Sequence, residues 1–146
     1  MPFKRFRPPR PNDLGDLPLF ADCNPRDMRT IADLGTRIGV RAGQRLMAAG
    51  SRGSDVVLVL AGEAVCELGG KTVARFETGD FFGEVAVLDG QPRTATVRAV
   101  TDMDVLVLSP AEFHEMVGLS PQVAHRVLRA MANRLRQANS LALAAP

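Results

Sequence analysis

The chain has 146 residues, of which 46% are hydrophobic and 23% charged, and a formal net charge of +2. That is enough for one domain with its own core, and too little net charge to argue for nucleic acid. No apolar run reaches the about 18 residues of a membrane span, and no apolar block follows the N-terminal basic residues as it would in a secretory leader. The two cysteines, Cys23 and Cys66, form neither a CxxC pair nor a disulfide framework, so a cytoplasmic setting is expected.

Residues 1–16 are rich in Pro and Arg, with Lys4, Arg5, Arg7 and Arg10 close together and no apolar period. An extended, mobile basic tail is expected there, either a solvated arm or a contact for an acidic partner or an anionic surface. From Leu17 to Gly35 the pattern is helical, with Leu19 and Phe20 expected to pack in a short turn before the helix proper. Asn24 is placed to cap a helix with Pro25 at its first position, Met28, Ile31, Ala32 and Leu34 share a face, and Gly35 is the stop.

Between Ile38 and Leu108 the pattern changes to short β-prone runs separated by turn residues. The runs are 38–40, 45–48, 55–60, 64–68, 72–76, 94–100 and 104–108, which argues an antiparallel sandwich or roll. Gly69-Gly70 predicts a tight hairpin. Alternation turns Ala64, Cys66 and Leu68 to one face and Glu63 and Glu67 to the other; Ala74 and Phe76 face inward on the next strand. Small inward residues such as Cys66 and Ala74 either fit the taper of the roll or shape a pocket. Phe81 to Leu88 breaks the alternation and predicts a single helical turn, whose first amides would be free for an anion.

Helix returns after Leu108. Ser109, Pro110 and Glu112 form a capping box, Gly118 ends the first helix, and Ser120-Pro121 starts a second. Along that second helix Ala124, Leu128, Met131, Leu135 and Ala138 recur at steps of four and three. They predict one apolar stripe, too short for an autonomous coiled coil and suited to lie against the roll.

The stretch from Gly79 to Val97, GDFFGEVAVLDGQPRTATV, sets one carboxylate (Glu84) and one guanidinium (Arg93) each inside its own apolar frame. A buried charge needs a partner: the two pair with each other, or they bracket a ligand with hydroxyls at one end and an anion at the other. FGE at Phe82 to Glu84 and PRTATV at Pro92 to Val97 resemble the phosphate-binding cassette of cyclic nucleotide-binding domains. The resemblance runs from about Leu17 to about Asn139 and includes the spacing of Gly43, Gly50, Gly53, Gly62, Gly79 and Gly83. It implies an α+β fold, an antiparallel, jelly-roll-like β-roll flanked by N-terminal and C-terminal helices. The domain would be 17–139, with tails at 1–16 and 140–146.

The resemblance also implies roles. Glu84 would accept from the ribose 2′-hydroxyl, and Arg93 would pair with the cyclic phosphate. The Thr94 hydroxyl and amide, with amides near Gly83, Val85 and Ala86 and the neighbouring Ala95, would complete the cradle. A cyclic phosphodiester carries one negative charge, which one guanidinium neutralises through charge-assisted bonds, so no metal is called for. Cys66 and Ala74 are candidates for the base pocket. Arg134 and Asn139 are candidates for a lid on the base, against the plainer reading of exposed helix surface. Thr94, where some relatives have Ala, leaves cAMP and cGMP both open, with cAMP favoured. The run Val56 to Leu60 lacks an aromatic often seen in the family, a packing change only.

His114 and His125 both fall in the C-terminal helices, and no GxSxG or HExxH motif occurs, so catalysis is not expected. The seven residues after Asn139 hold no helix-turn-helix, so no DNA partner is expected. The expected function is a cyclic nucleotide sensor that signals to an effector protein or a second copy through its C-terminal helices. The alternative is an interaction module of the same fold that binds no nucleotide.

Overall fold

In the computed structural model, the described residues are 4–5, 14–47, 50, 55–84 and 95–144. Two antiparallel sheets carry the fold. The first has the order β1-β2-β9-β4-β7: β1 Lys4–Arg5, β2 Thr36–Val40, β9 Met103–Leu108, β4 Val56–Ala61 and β7 Phe81–Phe82. The second has the order β3-β8-β5-β6: β3 Arg45–Met47, β8 Thr96–Ala99, β5 Ala64–Leu68 and β6 Lys71–Phe76. This is the expected β-roll with flanking helices.

The run VVLVL of β4 has no polar alternation because both of its faces are covered. Val56 and Leu58 point to the helices, while Val57 and Val59 point into the roll. β9 repeats the division, with Leu106 and Leu108 toward the helices and Met103 and Val105 inward. Even the two residues of β7 divide this way, Phe81 to the helix side and Phe82 to the roll interior. Inside the roll, Ala64, Phe76, Val97 and Ala99 of the second sheet meet them.

The hairpin at Gly69-Gly70 holds both glycines at positive φ, 59° and 79°, as a tight two-residue turn requires. Across it Cys66 stands opposite Ala74, both half-buried and packed against the roll interior. The inward orientation expected for that pair holds; Leu68 at the hairpin end is exposed instead.

Helix α1, Pro25–Asp33, is capped by the Asn24 side chain, which accepts from the Asp27 amide at 2.8 Å. The short turn expected before it is the 3-10 turn Pro18–Phe20, with Leu19 and Phe20 buried, and Asp22 between turn and helix sits at φ 65°. Helix α2, Pro110–Gly118, carries the full capping box of Ser109 and Glu112. Glu112 does more than cap. Its Oε2 accepts from the Gly35 amide at 2.8 Å and its Oε1 from the Ser109 amide at 2.8 Å, tying the entry of β2 to the start of α2. The Ser109 bond, followed by that from Gly35, holds its carboxyl below the usual carboxylate range against the opposing effect of burial.

Helix α3, Pro121–Ala144, is 24 residues long. It extends past Asn139 into the expected C-terminal tail, whose Ala- and Leu-rich sequence favours helix. At the other end Leu14 is fully buried, so ordered packing begins inside the stretch expected to be a tail, and Lys4–Arg5 pairs with Ile38 and Gly39. The face of α3 that packs is also displaced from the expected stripe. Val123 and Val127 are buried and Ala130 and Met131 pack partly, whereas Leu128 and Leu135 are 65% and 63% exposed. The apolar residues at a helical spacing marked one face, but α2 and the 3-10 turn meet its neighbour, where β-branched valines recur. Among the described residues, no helix is long and apolar enough to cross a membrane.

Candidate functional site

Phe81 and Phe82 form a short strand because they pair with Leu58 and Val57, so the helical turn predicted from Phe81 starts only at Glu84, and its residues from Val85 on lie outside the described residues. Gly83 follows at φ 94°, a conformation open to glycine and strained for other residues. It delivers Glu84 into the interior. Glu84 is 3% exposed and is the buried charged residue among those described.

Its partner is Arg134, 50 residues away on α3. Arg134 Nη1 donates to Glu84 Oε1 at 2.6 Å, and its Nη2 donates to the Phe81 carbonyl. The guanidinium carbon stands 4.5 Å from the centre of the Phe81 ring and 5.2 Å from that of Phe76. Phe76 in turn stacks on Phe82, with centroids 4.9 Å apart and an interplanar angle of 26°. The cation is thus held by a carboxylate, a carbonyl and two aromatic faces. Contacts of the last kind are worth about 0.5–2 kcal/mol each, rising with desolvation.

Cys66 lies within electrostatic reach of the same cation. Burial raises its thiol pKa, Arg134 opposes that, and Glu67 adds to it. The thiol stays protonated at neutral pH and contributes shape and weak polarity, not nucleophilicity. Cys66, Ala74, Phe76 and Phe82 belong to one interior cluster.

The candidates sort as follows. Glu84 and Arg134 are brought into direct contact, and Cys66 is close enough to feel the charge. Gly83 positions Glu84, and Ala95, half-buried, precedes β8. Asn139 is exposed on α3, five residues beyond Arg134. Val85, Ala86, Arg93 and Thr94 lie outside the described residues. Of the two readings of Glu84, pairing with Arg93 or contact with a ligand, neither included Arg134 as its ion partner. Sequence reasoning also missed Phe76 and Phe81 as the arginine's seat. The available signal was Arg134's place at the next step of the packed seam Val123, Val127, Ala130, where a charge must find a buried partner.

Residues 37–118 match the family described as "Cyclic nucleotide-binding domain". The cAMP-dependent protein kinase regulatory subunit of Emericella nidulans is 33% identical over 115 residues, covering 77% of this chain and 28% of that protein. The chain thus spans roughly a quarter of such a relative's length. Among solved structures, the Thermus thermophilus catabolite activator protein is 30% identical at a TM-score of 0.73, over 86% of this chain and 62% of that one. A cAMP-bound PfPKA-R chain has a TM-score of 0.80 at 24% identity, over 90% of this chain and 46% of that one, a likeness of fold.

Proposed function

Since this chain belongs to the cyclic nucleotide-binding domain family, we propose that it is a regulatory module that binds a cyclic nucleotide, cAMP in preference to cGMP, and passes the binding event on through α3. The observation that carries this reading is the buried carboxylate of Glu84, paired with an arginine from the C-terminal helix. A core position does not need an acid, and the desolvation of an ion pair is often not repaid by stability. An acid there is useful if a hydroxyl-bearing ligand comes to it.

A carboxylate offers about four lone-pair positions, so accepting from the 2′-hydroxyl of a ribose is compatible with the Arg134 contact. Arg93 and Thr94, with the amides of Gly83, Val85 and Ala86, hold the phosphate in this reading, and no metal takes part. Ala95 follows the cradle, Cys66 and Ala74 line the base side, and Asn139 reaches the base from α3. Residues 17–139 form the binding unit. The domain itself carries out no reaction; its output goes to an effector protein or to a second copy.

Binding shifts a conformational equilibrium only by the ligand's differential affinity for the two states. Arg134 supplies that difference: it touches both the carboxylate that meets the sugar and the helix that leaves the domain. Catalysis by the ligand's site is not part of the reading. The alternative, a module of the same fold that binds no nucleotide, draws on the same contact, because Glu84 already has its ion partner. Titration calorimetry with cAMP and cGMP separates the two. Saturable binding, tighter for cAMP and unaffected by EDTA, supports the sensor; no heat with either nucleotide supports the interaction module.

A further inference from the structure

Helix α3 carries four arginines, Arg126, Arg129, Arg134 and Arg136, and no Asp or Glu along its 24 residues. A helix surface of this kind normally mixes the signs, since like charges three or four residues apart repel. Here compensation has to come from outside the helix. Arg134 obtains it from Glu84. Arg126 Nη1 donates to the Leu19 carbonyl at 3.3 Å and also to the Ala21 carbonyl, with the exposed Asp22 carboxylate 3.9 Å from its Nη2. Arg129 makes no hydrogen bond or ion pair within the described residues.

Three of these arginines line one concave feature. A cleft of about 240 Å³ runs between α3 and the outside of the roll. Arg126, Arg129, Asn133 and Arg134 form one wall, and the 3-10 turn with the Gly79–Asp80 turn forms the other. The acid in its lining, Asp80, is engaged locally, its Oδ2 accepting from the Glu77 amide at 2.8 Å. The cleft is thus a groove with three arginines and one carboxylate, and that carboxylate is turned to the Glu77 amide. The groove lies on the side of Arg134 away from the roll interior.

We infer that this groove is a docking site for an acidic, extended segment of a partner protein. The match is one of charge and spacing. Arg126 and Arg129, and Arg129 and Asn133, are helical neighbours about 5–6 Å apart, and carboxylates at alternate positions of an extended strand recur at about 6.6 Å. Two such carboxylates reach Arg129 together with either neighbour. A partner seated there also faces Arg134, so it and the nucleotide change each other's affinity by the same factor. That coupling rests on the proposed nucleotide function; the groove does not.

The test is fluorescence anisotropy on the full chain with a labelled peptide, Gly-Glu-Ser-Glu-Ser-Glu-Gly, and the same peptide with Gln at each Glu. The Glu peptide binds and the Gln peptide does not. Arg129→Ala weakens the Glu peptide by about tenfold, which corresponds to about 1.4 kcal/mol. Arg136→Ala, which removes an equal charge outside the groove, changes it less than about twofold, within the range of screened surface charges. Equal binding of the two peptides, or equal loss in the two arginine variants, overturns the groove. Circular dichroism confirms that each variant is folded, since Arg129 is an exposed residue whose loss leaves no buried group unpaired. If the peptide binds and cAMP does not, the nucleotide reading falls and the groove stands; if cAMP binds and the peptide does not, the reverse holds.

Discussion

Removing the Arg134 cation should destabilise the domain far more than a helix-surface substitution does. Its side chain is 28% exposed and that of Glu84 is 5% exposed, so the carboxylate, not the guanidinium, is the group that water cannot rescue. Breaking a buried pair from one side costs about 3–5 kcal/mol, because a charge is left without compensation. The partial exposure of Arg134 argues for the lower end, and loss of its two aromatic contacts adds a fraction more, for a total of about 3 kcal/mol. For a chain of this size that lowers Tm by about 6–12 °C. Arg134→Met keeps most of the bulk between Phe76 and Phe81 and removes the charge. Glu84→Gln in that background removes the stranded carboxylate and should restore part of the loss. Urea unfolding of wild type, both single variants and the double variant closes a double-mutant cycle, with an expected coupling of about 1.5–3 kcal/mol. Additive single effects, each under about 0.5 kcal/mol, would refute the argument that Glu84 depends on Arg134.

Three further outcomes are expected. Arg93→Ala should weaken cAMP binding by about 2–4 kcal/mol, the loss of a charge-assisted pair, with the ligand-free stability little changed; equal affinities by calorimetry would remove Arg93 from the site. Wild type should bind 2′-deoxy-cAMP less tightly than cAMP, and Glu84→Gln should narrow that gap; an unchanged gap means that Glu84 serves the fold alone. The Glu112 carboxyl has a folded pKa below its unfolded value, so its contribution to stability is present above the unfolded value of about 4.3 and lost as pH falls through the folded one. Glu112→Gln should therefore lower stability at pH 7 and flatten the decline between about pH 5 and pH 3; parallel acid limbs in urea titrations would rule this carboxyl out as a contributor.

Local chemistry was what the sequence showed well. Asn24 and Ser109 cap the helices expected of them, since capping is decided within four residues. Gly69-Gly70 turns where it should, and the interior positions of Cys66, Ala74 and Phe76 follow from alternation. What escaped was decided at a distance. β7 is two residues long and exists only because β4 receives it. The packed face of α3 depends on how α2 and the 3-10 turn meet it, and the apolar count alone favoured the face that holds Leu128 and Leu135. The site divides the same way. Glu84 stood out as an acid in an apolar frame, while its ion partner lies 50 residues downstream, beyond any local pattern. Arg93 and Thr94 fall outside the described residues and keep the roles the resemblance gave them as proposals.

The double-faced burial of β4 and β9 bears on how the molecule comes apart. The two strands are a party wall: alternate residues of each belong to the helix-side cluster and to the roll interior. Neither cluster can melt and leave the wall intact, because the other face of the same backbone would lose its support. Helix packing and roll should therefore unfold in one all-or-none transition, with calorimetric and van't Hoff enthalpies equal. Damage on the helix side, at Phe113 for example, is then shared by the roll interior.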